Sequence, residues 1–224
     1  MHSRLLDLVL FYPLFLFSLS FHEAAHGLVA DKLGDPTARL LGRVSLSPLR
    51  HMDPIGTVLL PIMGILTGAP VIGWGKPVPV NPYRLKGDRR KSSLWVAASG
   101  PTSNIMLAVA FAILARGLIF LLPSLPEQML TPGSMGATFL GAVFAICQMG
   151  VILNLLLAFF NLLPLPPLDG GTVVRGLLPE SSLESFDNFS RYSFLILLVL
   201  FVTGLLRYIL IPVLLVARYL LPLQ

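Results

Sequence analysis

Residues 5–33 read LLDLVLFYPLFLFSLSFHEAAHGLVADKL, an apolar run that closes on two histidines and a glutamate. At about 1.5 Å per residue a helix of this length reaches roughly 43 Å, enough to cross a hydrocarbon core of about 30 Å with overhang. Gly34-Asp35-Pro36 supplies the stop. Pro13 is expected to kink the helix, because proline removes a backbone donor and crowds the carbonyl of Val9. A cleaved leader would end in a small-residue site. This run continues straight into His22-Glu23, so the segment is expected to be retained.

His22-Glu23-Ala24-Ala25-His26 is a His-Glu-x-x-His pattern on that helix. Positions i and i+4 share a face, so both imidazoles can reach one metal ion. Zinc takes imidazole nitrogens in a tetrahedral site, and a catalytic zinc keeps three protein ligands and one open position. Glu23 is rotated about 100° from His22 and addresses a bound water rather than the ion, as a general base does. Histidines packed on a helix would be the structural alternative, but three ionisable groups in hydrocarbon are costly without a function. For the third ligand, Asp169 is the sole acid between Glu127 and Glu180 and sits at a helix break. Irregular backbone at membrane depth must line a cavity or be buried in protein. The same aspartate would equally suit the cap of a short helix over 171–178. His51 and Asp53 are rivals in a loop able to fold back.

The rest of the chain agrees with a polytopic membrane protein. Of 224 residues 55% are apolar and 12% charged, with a mean hydropathy of +0.81, outside the range of soluble domains. Ten of the 16 Lys and Arg residues lie between Lys32 and Lys91, and none between Gly117 and Val174. That asymmetry marks a cytoplasmic face by the positive-inside rule. No basic stripe with aromatic platforms is present, so no nucleic-acid partner is expected. Cys147, the single cysteine, reads as a small buried hydrophobe, and no internal disulfide can form.

Beyond Pro36, short alternating stretches in 36–54 could pair as strands. Residues 55–75 are uncharged but broken by Pro61, Gly64, Gly68, Pro70 and Gly73, and basic on both flanks. They are expected to enter the membrane and return. Residues 75–82 read as an extended strand and turn because of their prolines. Spanning helices are expected over about 93–122 and 137–163, then a break at Pro164–Gly171 and a polar stretch over 175–191. The apolar run 192–221, interrupted by Arg207 and Pro212, is either one long span or a span plus an interfacial helix. No internal repeat of the transporter kind is visible.

Phe21-His22-Glu23-Ala24-Ala25-His26-Gly27 and Asn161-Leu-Leu-Pro-Leu-Pro-Pro-Leu-Asp169-Gly-Gly171 together resemble the site-2 proteases, intramembrane zinc metalloproteases. The second stretch is similar to that family's Asn-Pro-Asp-Gly signature. Gly100-Pro101-Thr102-Ser103-Asn104 is similar to its glycine-proline-asparagine element. The resemblance covers the three core helices, about 5–34 and 93–171. It implies that His22, His26 and Asp169 bind zinc, one ion per chain. It makes Glu23 the base, and gives Asn161 a part in holding substrate near the scissile bond. Gly100 and Asn104 are expected to serve helix packing. Many members carry a spanning segment before the zinc-binding helix and some carry a PDZ-like domain. Neither is expected here, which puts the N-terminus outside the cytoplasm.

The expected fold is therefore all-α and polytopic. A three-helix zinc-binding core carries small membrane-associated strand elements and C-terminal helices, in one domain over 1–224. The expected function is zinc-dependent hydrolysis of membrane-associated protein substrates in the cytoplasmic membrane of a prokaryote, an unwound substrate segment pairing against 75–82. A metal transporter would need more polar ligands along a path, yet Arg116 is the only charge in 93–122 and 137–163. An inactive scaffold homologue is the other alternative, and the intact Glu23 argues against it.

Overall fold

The structure, a computed structural model, describes residues 2–68 and 73–221. Residues 69–72 of the expected re-entrant stretch lie outside the described residues. The first helix, α1 (His2–Lys32), runs unbroken through Pro13. A π-helical turn over Pro54–Leu59 leads into α2 (Leu60–Thr67). Then follow α3 (Arg89–Leu121), α4 (Met135–Asn161), α5 (Asp169–Leu177), α6 (Glu180–Ser190), α7 (Ser193–Val202) and α8 (Ile211–Leu220).

The ends of the two longest later helices follow from their caps. Asp88 accepts from the amides of Arg90 and Lys91, so α3 starts among its own basic residues before turning apolar. Ser134 does the same for the amide of Ala137 at the start of α4. With its 3-10 extension to Ser124, α3 is long and apolar enough to cross a membrane, and so is α4. The pair α6–α7, bent by 52°, would make a third span if counted as one. Ile113, Leu114 and Phe120 on α3 and Phe139 on α4 are exposed, a surface suited to lipid rather than water. These observations fit a membrane protein.

α3 is the central helix, touching α1, α4 and α5. Its buried positions are mostly small: Ala97, Gly100, Ser103, Asn104, Ala108, Ala112 and Ala115. Small side chains let helix backbones approach closely where apolar burial gives no preference over lipid. Ala108 and Ala112 meet Val151 and Leu155 of α4, with Val213 and Ala217 of α8 closing the cluster. On the other side Leu14, Phe15 and Leu19 of α1 pack against Leu153 of α4.

The small strand elements expected in 36–54 and 75–82 are not seen, for no strand occurs among the described residues. Thr37–Leu40 and Pro48–Arg50 are single helical turns. Residues 73–81 are extended but form no ladder. Pro77 and Pro79 have no amide to give, and the neighbouring amides are used elsewhere. Trp74 donates to the Gly56 carbonyl, Lys76 to that of His51, Val78 to Glu23 and Asn81 to Asp35. The stretch is a strap held along one edge by the rest of the protein. In the C-terminal part, Gly204 in a left-handed conformation (φ +71°) and Pro212 at the start of α8 break the apolar run 192–221 into short helices.

Candidate metal centre

One turn of helix separates His22 from His26, and their rings meet edge to face. The two Nε2 atoms are 3.1 Å apart. The α4–α5 break brings Asp169 to the same point: its Oδ2 is 3.1 Å from Nε2 of His22 and 3.3 Å from Nε2 of His26. Both histidines are at least nine-tenths buried.

The break takes its shape from its glycines. A Cβ on Gly170 would lie 2.3 Å from the carbonyl oxygens of Leu162 and Leu163, so only glycine lets α5 fold back on the end of α4. Asp169 is the first residue of α5, and its side chain caps nothing. The cap position is Leu168, which makes no side-chain bond.

The donor set fits a divalent cation such as zinc. Nδ1 of His22 faces Oδ1 of Asn104 at 2.6 Å, and Nδ1 of His26 faces the Val96 carbonyl at 2.8 Å. Both partners accept, so each Nδ1 carries the proton and each Nε2 presents a lone pair. Asp169 Oδ2 is buried with no hydrogen-bond donor. Three acceptors therefore converge, an arrangement that repels itself unless a cation lies between them. Their 3.1–3.3 Å separations match the spacing of about 3.3 Å between neighbouring ligand atoms at the usual tetrahedral zinc bond lengths. Among the described residues, no other group of three or more His, Cys, Asp or Glu is so disposed.

A cavity of about 380 Å³ opens on this cluster, with Glu23, Val78, Ala97, Asn161 and Thr172 in its wall. Glu23 is 9% exposed, and its Oε2 accepts from the Val78 amide at 2.8 Å. Asn161 lines the same cavity and donates from Nδ2 to the Leu157 carbonyl. His51 and Asp53 stand apart from the cluster. His51 is buried and meets the Ser45 carbonyl through Nε2 at 2.7 Å, and burial holds its imidazole below the ordinary range. Asp53 caps the turn at Pro54–Leu59 through the amides of Ile55 and Gly56.

A model of peptidase family M50 matches residues 10–203 of this chain. The chain belongs to peptidase family M50. It is 38% identical over 218 residues to YwhC of Bacillus subtilis, provisionally named a zinc metalloprotease, covering 93% of this chain and 91% of that protein. Rip2 of Mycolicibacterium smegmatis, with the same provisional designation, is 30% identical over 198 residues, covering 86% of this chain and 66% of that one. MJ0611 of Methanocaldococcus jannaschii, likewise so named, is 32% identical over 155 residues, 69% of this chain and 63% of that protein. No solved structure matches significantly. The resemblance read from the sequence thus stands as membership of the M50 family, the site-2 proteases, and the protein is a metalloprotease.

Within this M50 member, sequence reasoning missed two features beside the cluster. Asn104 was expected to serve packing, yet its amide oxygen holds Nδ1 of His22. Asn154 and Ser18, fully buried, extend that contact. Their signal in the sequence was polarity inside apolar helices, which is costly in lipid unless satisfied. The second feature is Asp35, 0% exposed at the end of α1, which ties the strap down. It accepts from the Asn81 amide at 2.6 Å, from the Thr37 amide at 3.1 Å and from the Thr37 hydroxyl. Burial pushes its carboxyl up, but those hydrogen bonds and Arg84 together outweigh burial and hold it below the ordinary carboxylate range.

Proposed function

We propose that this metalloprotease works within the bilayer, binding one zinc ion per chain through His22, His26 and Asp169, with Glu23 as general base and membrane-associated polypeptides as substrates. The observation that carries the reading is the convergence of three lone-pair donors beside a carboxylate that shares their cavity but not their cluster. α1, α3 and α4 then form the zinc-binding core as three spans of a multi-pass protein in the cytoplasmic membrane of a prokaryote. The basic residues near Lys32 and Lys76–Lys91 face the cytoplasm.

His22, His26 and Asp169 would hold a zinc ion, whose Lewis acidity would lower the pKa of the attacking water to about 7 and polarise the scissile carbonyl. The residues do the remainder. The Val78 amide holds one oxygen of Glu23 and so ties the carboxylate to the strap. Glu23 takes a proton from the attacking water and passes it to the departing amine nitrogen as the C–N bond breaks. Asn161, on the cavity wall, holds the unwound substrate backbone. The strap at 73–81 lies along the same cavity through Val78 and Val80, where an extended segment can be laid against it.

A transport function would need a succession of polar sites through the helices. The polar groups of α3 and α4 near the cluster are instead engaged with protein partners. The decisive experiment is Glu23→Gln. The purified variant should keep about one zinc per chain and lose all cleavage of a membrane-bound reporter, given the role assigned to a general base. Loss of the metal together with activity would move Glu23 into the ligand set.

A further inference from the structure

Three fully buried polar side chains link the three core helices behind His22. Asn104 of α3 places Nδ2 at 3.2 Å from the Ser18 carbonyl of α1 and at 2.8 Å from Oδ1 of Asn154 on α4. Asn154 in turn donates from Nδ2 to the Gly150 carbonyl at 2.9 Å and to the Ser18 hydroxyl at 3.0 Å. All three residues are 0% exposed.

The two backbone carbonyls set the direction of this chain. A carbonyl can only accept, so the atom of Asn154 facing Gly150 must be its amide nitrogen, and its oxygen is left facing Asn104. The atom of Asn104 that meets both this oxygen and the Ser18 carbonyl must likewise be nitrogen. Its oxygen is therefore the atom presented to Nδ1 of His22. Turned over, Asn104 would aim its amide hydrogens at Nδ1 and favour the tautomer with the proton on Nε2. That tautomer has no lone pair on Nε2, the atom that faces His26 and Asp169.

We propose that Asn154, acting through Asn104, is a positioning residue that keeps His22 in the metal-binding tautomer. This rests on the reading of His22 as a zinc ligand. Outer partners of metal-bound histidines act in this way by fixing tautomer and ring orientation. Here the control lies one residue further out, on a helix that contributes none of the three ligands.

The full-length protein in nanodiscs would be titrated with zinc against a competing chelator, as wild type, as Asn154→Leu and as Leu155→Ala, a packing variant of the same helix. Asn154→Leu should weaken zinc binding about tenfold, the lower end for outer-shell partners. In the zinc-loaded protein, the downfield His22 Nδ1–H proton resonance should move upfield. Leu155→Ala opens a cavity in the packing of the same helix but removes none of these hydrogen bonds, so it should leave zinc affinity and the His22 resonance at their wild-type values. A merely structural role for Asn154 would lower affinity equally in both variants with the resonance unmoved, and that result overturns the proposal. So would an Asn154→Leu protein with wild-type affinity and an unmoved resonance. If wild type itself binds no zinc, the metalloprotease site assignment fails instead, and the two failures are told apart by that first titration.

Discussion

A methyl group on Gly100 would sit 2.4 Å from Nε2 of His26 and 2.6 Å from Nε2 of His22, well inside van der Waals contact distance of either. Gly100→Ala should therefore reduce zinc affinity by at least about tenfold, although alanine favours the helix by roughly 0.5–1 kcal/mol. Zinc titration beside a melting curve separates the two effects, and unchanged affinity would mean that the histidines can move aside. For the third ligand, Asp169→Ala should lose most zinc, whereas Asp53→Ala and His51→Ala should keep it, measured by metal analysis of the purified proteins. Wild-type zinc and activity in Asp169→Ala would remove it from the site. At this scale the sequence was legible where chemistry needs a fixed spacing. His22, Glu23 and His26 declare themselves because the helical period forces them together. Asp169 stayed open on residue type alone, because an aspartate before two glycines suits a cap as well as a ligand. The fold-back that Gly170 permits, which sets Asp169 beside the two histidines, is what the residue type does not reveal. Asn104 was read as packing because no local pattern tells an oriented amide from a buried one.

Elements were read well where apolar length dominates and poorly where backbone donors decide. The apolar runs behind α3 and α4 are plain in the sequence, and their caps set the ends within a few residues. Strands were expected in 75–82 from an extended backbone preference, yet pairing needs free amides on a shared edge. Pro77 and Pro79 lack them, while Lys76 and Val78 spend theirs on His51 and Glu23. The strap depends instead on local ties, one of which runs to the buried carboxyl of Asp35. Its carboxyl is held below its ordinary pKa in the folded protein. Its contribution to stability is thus fully present above the unfolded value of about 3.9 and is lost as pH falls through the lower folded value. Thermal unfolding of wild type and Asp35→Asn across this range should show a gap in Tm that is constant above about pH 5 and closes in more acidic buffer. A gap that widens on acidification would reverse the sign of the assignment.

At the scale of the whole molecule, α3 and α4 are, among the described residues, long and apolar enough to cross, and the bent α6–α7 pair would add another span if counted as one. The helical stretch Pro54–Thr67 would reach only about 21 Å, short of a bilayer core of about 30 Å. Residues on its two sides should therefore face the same compartment. In a Cys147→Ser background, Arg50→Cys and Lys86→Cys should both resist a membrane-impermeant thiol reagent in intact cells and react once the cells are opened. Labelling of Lys86→Cys alone from outside would make 55–75 a true span. The order of the ligands along the chain also has a meaning in time. Synthesis runs from the N-terminus, so His22 and His26 are made and inserted long before Asp169 leaves the ribosome. With the ligand set proposed above, a nascent chain holds two of the three ligands until α5 has turned back on α4. A polypeptide-cutting enzyme built in this order would stay inert while the segments before α5 are made, at the stage when they would be its nearest substrate.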